Sequence, residues 1–63
     1  MLKTNIKQYR KKLRLTQEAL SRRAGISYNT IIKLESGAIA DPRMGTLRQL
    51  SRALGVTIDR LVN

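Results

Sequence analysis

The sequence contains no cysteine and no histidine among its 63 residues, and these absences exclude several kinds of chemistry. Without thiols the chain forms no disulfides and no thiolate metal sites, and without imidazole it lacks the commonest metal ligand and general base. The four acidic residues, Glu18, Glu35, Asp41 and Asp59, are not neighbours along the chain. We therefore expect a protein that is not an enzyme, with no catalytic residues, no metal and no cofactor.

Long apolar runs are also absent. No stretch approaches the roughly 20 apolar residues that cross a membrane, and the N-terminal segment lacks the apolar part of a secretory signal. The only aromatic residues are Tyr9 and Tyr28, whereas helices that lie on membranes favour Trp or Phe, and single-strand RNA readers stack bases on aromatic rings. This composition predicts a soluble protein and disfavours membrane and RNA as partners of its basic first helix.

Negative charge is scarce as well. Thirteen Lys and Arg residues stand against four acids, which gives a net charge of +9 and an isoelectric point near 11.3. Solubility alone requires a net charge of only about 2 to 8. An excess of this size attracts polyanions, so we expect a nucleic acid as the partner.

The chain is too short to divide its buried surface between two cores, and we expect one domain over residues 1–63. The first helix is predicted from Leu2, Ile6, Tyr9 and Leu13, which recur at spacings of four, three and four. Thr4 is its expected N-cap.

Two short helices with a tight turn between them are predicted next. Thr16 can cap a helix over about residues 17–24, because its hydroxyl can accept a hydrogen bond from a backbone N–H of the first turn. Gly25 suits the left-handed conformation that ends a helix. Ser27 then caps a third helix over about residues 28–36.

Two further helices are predicted in the C-terminal third. Gly37 ends the third helix, and Asp41 with Pro42 is interpreted as the start of the fourth, since proline loses no hydrogen bond in a first turn. The apolar face of the fourth helix is predicted to hold Met44, Leu47, Leu50 and Leu54. Thr57 caps a short fifth helix, so the fold class is all-α, with five helices and no strands.

The third helix has two faces of different chemistry. At about 100° per residue, Ile31 and Leu34 fall together, and the opposite side presents Asn29, Ile32, Lys33 and Ser36. In a DNA major groove, Asn suits the edge of adenine, Lys suits that of guanine, and an apolar side chain suits the thymine methyl. An ordinary solvated helix face is the alternative, which the excess positive charge makes less attractive.

These residues carry a resemblance to a known family. The stretch LRLTQEALSRRAGISYNTIIKLESG, from Leu13 to Gly37, resembles the helix-turn-helix of the phage repressor and Cro-type family, also called XRE-like regulators. The stretch DPRMGTLRQLSRALGVTIDRLV is similar to the family's fourth and fifth helices. The resemblance covers nearly the whole chain. It implies a compact five-helix, lambda-repressor-like DNA-binding domain, encoded by a prokaryote or phage and located in the cytoplasm on the nucleoid.

The resemblance also implies roles for particular residues. The family's base-reading positions hold Ser27, Tyr28, Asn29 and Lys33, and the outward position of Ile32 adds a contact for a thymine methyl. Phosphate contacts or bracing of the recognition helix fall to Thr16, Gln17, Ser36, Arg43 and Arg10. Tyr28 departs from the family, in which Arg, Gln or another polar residue is frequent, so donation to a phosphate is the alternative to base reading there.

Two pairs of opposite charge are expected. Arg10 and Glu35 occupy positions at which some family members join the first helix to the third by an ion pair, the alternative being two unrelated surface charges. Glu18 and Arg22 have the spacing of a surface pair within a helix. For the other basic residues, solvated surface and phosphate contact stay equally open; those around the first helix are Lys3, Lys7, Lys11, Lys12 and Arg14.

We expect sequence-specific binding to a double-stranded DNA operator, with the third helix in the major groove. The protein would be a transcriptional regulator, a repressor more readily than an activator. We expect no separate oligomerisation domain, and a homodimer, preformed or assembled only on DNA, through Val62 and the loop around Val56. The competing interpretation is an antitoxin or anti-repressor that acts mainly through an acidic protein partner, for which an exposed Ile32 and Ile39 would argue.

Overall fold

Five α-helices follow one another in the structure, a computed structural model that describes all 63 residues. They are α1 (Leu2–Lys12), α2 (Gln17–Ala24), α3 (Tyr28–Ser36), α4 (Met44–Leu54) and α5 (Ile58–Val62), with no β-strand. α1 packs against α3 and α5, and α2 packs against α3 and α4. The predicted all-α, five-helix fold is confirmed. None of the helices has the length and apolar character that a membrane crossing requires.

Three helices begin at a hydroxyl that caps the first turn, as the sequence predicted. Thr16 Oγ1 accepts from the Ala19 N–H at 3.0 Å, Ser27 Oγ from the Thr30 N–H at 3.2 Å, and Thr57 Oγ1 from the Arg60 N–H at 3.2 Å. Each bond satisfies an N–H group that has no partner within its own helix. These caps set where α2, α3 and α5 begin.

The turn between α2 and α3 contains only three residues. Gly25 lies in the left-handed region at φ +68°, and the next N–H, that of Ile26, reaches back to the carbonyl of Ser21 at 3.0 Å. A residue with a Cβ atom would be strained in this conformation, which is why glycine ends helices so often. Because Ser27 starts α3 at once, the turn leaves little freedom in the angle between α2 and α3.

One cluster of nine buried apolar residues joins all five helices. Its members are Ile6 of α1, Leu20 and Ala24 of α2, Ile31 and Leu34 of α3, Leu50, Ala53 and Leu54 of α4, and Leu61 of α5. Helices as short as these are marginal in isolation, so the shared core provides most of their stability. It also fixes the rotation of α3, whose Ile31 and Leu34 are fully buried.

A polar contact that the sequence did not indicate joins α1 to α5. The side-chain amide of Asn5 donates to the carbonyl oxygens of Leu61 at 2.9 Å and Arg60 at 3.2 Å. Carbonyls in the last turn of a helix lack partners within the helix, so Asn5 satisfies groups that would otherwise need water. This contact fixes the end of α5 against the first helix.

Two predicted details of α1 are wrong. Thr4 lies inside α1 and does not cap it, because the helix already begins at Leu2, with Met1 as the N-cap. Leu13 is 43% exposed and does not join the apolar stripe. The reason is that α1 ends at Lys12, so the chain turns before the stripe reaches its next position.

The predicted start of α4 is also wrong. Pro42 does not lie in the first turn, since α4 begins at Met44 with Arg43 as a cap whose side chain makes no capping hydrogen bond. Met44 is 53% exposed and does not belong to the buried face. It lies one turn before Leu47, which is the first buried residue of the helix.

The neighbouring residues Ile31 and Ile32 form a matched pair for testing this packing. Ile31→Ala should lower the free energy of unfolding by about 2 to 5 kcal/mol, because it removes a fully buried side chain and leaves a cavity. Ile32→Ala should cost about 1 kcal/mol or less, since this residue lies on the outer side of α3. Urea unfolding followed by circular dichroism measures both changes. Equal losses would contradict the inner and outer faces described here.

Candidate nucleic-acid interface

One side of α3 collects most of the residues that the sequence singled out. Exposed along this side, or at its N-terminal end, are Ser27, Tyr28, Asn29, Ile32, Lys33 and Ser36. Tyr28 is 46% exposed and Ile32 is 36% exposed. We call this surface the α3 face, and it lies opposite the buried stripe of Ile31 and Leu34.

Asn29 and Lys33 are two members of the α3 face whose polar groups are uncommitted, as is the hydroxyl of Tyr28. Neither the Asn29 nor the Lys33 side chain makes a hydrogen bond within the protein. The protein has two ion pairs, and Lys33 belongs to neither of them. The two residues are four positions apart, so they lie about one helical turn from each other on the same side. The amide and the ammonium can therefore bind external acceptors without the loss of an internal bond.

The two serines of the α3 face are partly committed to the fold. Ser27 Oγ caps α3 and shares a second hydrogen bond of 2.8 Å with Thr30 Oγ1. Ser36 Oγ donates to the carbonyl of Lys33 at 3.1 Å and accepts from the Ala38 N–H at 3.3 Å. A hydroxyl carries one hydrogen, so Ser36 must give up its bond to Lys33 before it can donate to a phosphate.

The start of α2 presents two donors that keep free hydrogens. Thr16 is exposed, and its hydroxyl oxygen accepts the capping bond while its hydrogen stays available. Gln17 uses one amide N–H to donate to Glu35 Oε1 at 3.2 Å. Its second N–H has no such partner, and both groups can therefore meet an anion at this end of the helix.

Two arginines assigned to phosphate contact or bracing lie in different environments. Arg43 is exposed immediately before α4, and its side chain makes no capping bond. Arg10 is only 9% exposed and its guanidinium binds groups inside the protein. Of the two roles expected for Arg10, these internal bonds correspond to bracing.

Arg10 and Glu35 form a bidentate ion pair inside the protein and are not two unrelated surface charges. Arg10 Nε donates to Glu35 Oε2 at 2.7 Å, and Nη2 donates to Oε1 at 2.9 Å. The third branch, Nη1, donates to the carbonyl of Leu15 at 2.8 Å. The hydrogen bond to Glu35 raises the pKa of Arg10 above its usual value, although burial acts in the opposite direction. The guanidinium therefore stays charged at any pH used with a protein.

Glu35 is the meeting point of three helices. It belongs to α3 and accepts from Arg10 of α1 and Gln17 of α2. We call these residues the Arg10–Glu35–Gln17 cluster. The Glu35 side chain is 3% exposed, and no buried side-chain polar atom of the protein lacks a hydrogen-bond partner. The cluster thus fixes the position of α3 relative to the start of α2.

Sequence reasoning anticipated the surface pair and missed two other features. Glu18 and Arg22 do pair, at 3.6 Å, but both are largely exposed and such pairs contribute little. The resemblance implied that Gln17 braces the recognition helix, and Gln17 does bond to α3, but its partner Glu35 was missed, because nothing in the sequence relates two polar residues 18 positions apart. The left-handed conformation of Arg14, at φ +57°, was also missed, since the usual signal is a glycine or an asparagine.

Comparison with known proteins decides the family. A family model described as helix-turn-helix matches residues 6–61. The chain belongs to the XRE-type helix-turn-helix family. The resemblance inferred from the sequence is therefore confirmed.

Three proteins named as uncharacterized HTH-type transcriptional regulators are similar to this helix-turn-helix protein. The one from Methanothermobacter thermautotrophicus is 43% identical over 54 residues, which cover 86% of this chain and 77% of the relative. The one from Methanocaldococcus jannaschii is 36% identical over 58 residues, covering 92% and 86%. The one from Archaeoglobus fulgidus is 33% identical over 58 residues, covering 92% and 80%. Most of the length of each relative thus aligns with this chain.

The buried ion pair can be tested by removing its partners singly and together. Arg10→Met or Glu35→Leu alone should lower the free energy of unfolding by about 3 to 5 kcal/mol, because each leaves an uncompensated buried charge. The double variant should lose less than either single variant, since no lone charge remains. Chemical denaturation gives all three values. Losses in the double variant equal to the sum of the singles would count against this account.

The exposed Glu18–Arg22 pair is the control. Arg22→Ala should change the free energy of unfolding by about 1 kcal/mol or less, because both side chains of this pair are mostly in water.

Proposed function

We propose that this helix-turn-helix protein binds double-stranded DNA at specific sites and regulates transcription as a repressor, with α3 in the major groove. The observation that carries the proposal is the α3 face. It presents uncommitted polar side chains opposite a fully buried stripe, on a helix whose orientation the Arg10–Glu35–Gln17 cluster fixes. An α-helix fits the width of the major groove, where base edges differ in their donors and acceptors.

Three side chains of the α3 face supply complementary recognition chemistry. The amide of Asn29 matches the N6 and N7 positions of adenine, and the ammonium of Lys33 matches O6 and N7 of guanine. Ile32 lies beside them and can contact a thymine methyl. Tyr28, at the N-terminal end of the helix, can reach a base edge or a phosphate. Ser27 contributes less, because its hydroxyl already caps α3.

Phosphate contacts would come from residues that flank the α3 face. Thr16 and Gln17 have free donors at the start of α2, and Arg43 is exposed before α4. Ser36 joins them only by exchanging its bond to the carbonyl of Lys33. With six to ten phosphates neutralised, the affinity should fall by about 10³ to 10⁵ between 50 and 200 mM salt.

We further propose that two copies bind side by side. One α3 reads only a few base pairs, so a pseudo-palindrome with half-site centres about 34 Å apart suits a pair of copies. Val62, 43% exposed at the end of α5, and the loop around Val56 are the surface for this contact, which forms on DNA. Such a regulator works where the chromosome lies, in the cytoplasm on the nucleoid.

A role as an antitoxin or anti-repressor has lost part of its support. Ile39, one of the two residues that favoured it, is half-buried and packs against the core. Ile32 is exposed, but it lies beside Asn29 and Lys33 on the α3 face already described. The excess positive charge favours DNA over a protein that would have to be strongly acidic.

Selection of bound duplexes from a random pool tests the proposed function. Wild-type protein should enrich a defined site, and Asn29→Ala or Lys33→Ala should change the preferred bases, at about 1 to 3 kcal/mol of discrimination each. Gln17→Ala and Arg43→Ala should weaken binding on all sequences alike, because phosphates carry no sequence information. Unchanged selected sites in the first two variants would show that the reading residues are wrongly assigned.

The proposed contact between copies has its own test. Val62→Asp should abolish cooperative binding to a pseudo-palindrome, because it places two like charges at the contact, and should leave binding to a single half-site unchanged. Titrations on both duplexes by gel shift measure this. Equal effects on the half-site and the full site would place the contact elsewhere.

A further inference from the structure

Arg14 is the one residue other than glycine with a left-handed backbone, at φ +57°. Its N–H donates to the carbonyl of Lys11 at 2.9 Å, and the following N–H, that of Leu15, donates to the carbonyl of Arg10 at 3.1 Å. The same two bonds end α2, where the Gly25 N–H donates to the carbonyl of Arg22 and the Ile26 N–H donates to the carbonyl of Ser21. At Arg14, however, the Cβ atom is crowded, so an arginine is disfavoured where a glycine would be relaxed.

The surrounding contacts prevent this strain from relaxing. Leu15 is half-buried and packs against the core, and its carbonyl accepts from Arg10 Nη1 at 2.8 Å. Arg10 is itself held by Glu35 at 2.7 Å. The turn that carries Arg14 is thus anchored to the same cluster that orients α3.

The side chain of Arg14 is exposed and belongs to neither ion pair of the protein. Nothing inside the fold therefore explains why an arginine occupies a position that suits glycine. Arg14 precedes Thr16 by two residues and Gln17 by three, so its Cα lies within about 11 Å of that of Gln17. A guanidinium on this turn can reach the same region of an anionic partner as the free donors of those two residues.

We infer that Arg14 is a phosphate-binding residue, which holds the backbone of double-stranded DNA beside the start of α2. Its planar fork of donors can bind two oxygens of one phosphodiester group. Strained residues that the neighbouring structure holds in place are typical of functional sites. The inference rests on the proposed function and adds a contact to it that neither the sequence nor the family comparison assigned.

Arg14→Gly tests the inference because stability and binding should change in opposite directions. The melting temperature should rise by about 4 °C, since glycine relieves the strain at positive φ. The affinity for the selected duplex should fall by about tenfold at 0.1 M salt, with the slope of log affinity against log salt smaller by about 0.9. Scanning calorimetry and fluorescence anisotropy over a salt series measure the two effects.

Two further variants separate the phosphate contact from net charge. Arg52→Ala removes the same charge from the exposed last turn of α4, and its salt slope should equal that of wild type. Arg14→Lys keeps the charge and the backbone strain, so it should recover most of the slope without the gain in melting temperature.

Each other outcome contradicts the inference. Wild-type affinity and slope in Arg14→Gly would overturn it and leave the proposed function intact. A lower melting temperature in that variant would show that the turn is not strained, which removes the reason for the assignment. Equal losses in Arg14→Gly and Arg52→Ala would mean that only net charge matters. Wild-type protein without salt-sensitive duplex binding would overturn both the inference and the proposed function.

Discussion

The carboxylate of Glu35 is the point on which the arrangement of the first three helices depends. It accepts from Arg10 and Gln17 in an almost fully buried setting, and Arg10 extends the same group of bonds to Leu15. The free energy needed to remove two charges from water cancels much of their mutual attraction, so the pair adds little net stability. We interpret the pair as fixing one arrangement of α1, α2 and α3, because alternatives would leave a buried charge without its partner.

The distribution of charge has a second consequence for stability. Only Arg10 and Arg22 of the 13 basic residues take part in ion pairs, so most of the positive charge repels itself across a body whose radius of gyration is 9.9 Å. A bound polyanion relieves this repulsion. Folding and DNA binding are therefore thermodynamically linked under the proposed function, and the duplex stabilises the folded chain.

Local signals predicted much of the fold. The capping hydroxyls of Thr16 and Ser27 and the left-handed Gly25 each act within a few residues, so the sequence was sufficient to locate them. The errors lie where the chain departs from those signals. An arginine, where a glycine would be usual, takes the left-handed conformation after α1, which ends at Lys12 and leaves Leu13 outside the stripe, and Pro42 precedes α4 without entering it.

The exposed face of the candidate site could be predicted from the sequence, but its side-chain hydrogen bonds could not. Helical periodicity alone separated Asn29 and Lys33 from the buried Ile31. Periodicity could not show that the Ser36 hydroxyl donates to the carbonyl of Lys33, or that Gln17 contacts Glu35. Those facts depend on side-chain geometry across the fold, which periodicity does not contain.

The three-residue connection between α2 and α3 constrains how such a protein can evolve. One residue inserted into or deleted from this connection would disturb the two signals that it holds, the left-handed Gly25 that ends α2 and the Ser27 cap that starts α3. The packing of Ile31 and Leu34 against the core depends on both signals. Under the proposed function, new binding preferences can therefore arise by substitutions on the outer side of α3, whereas changes in the length of the connection would disturb the packing that holds this helix.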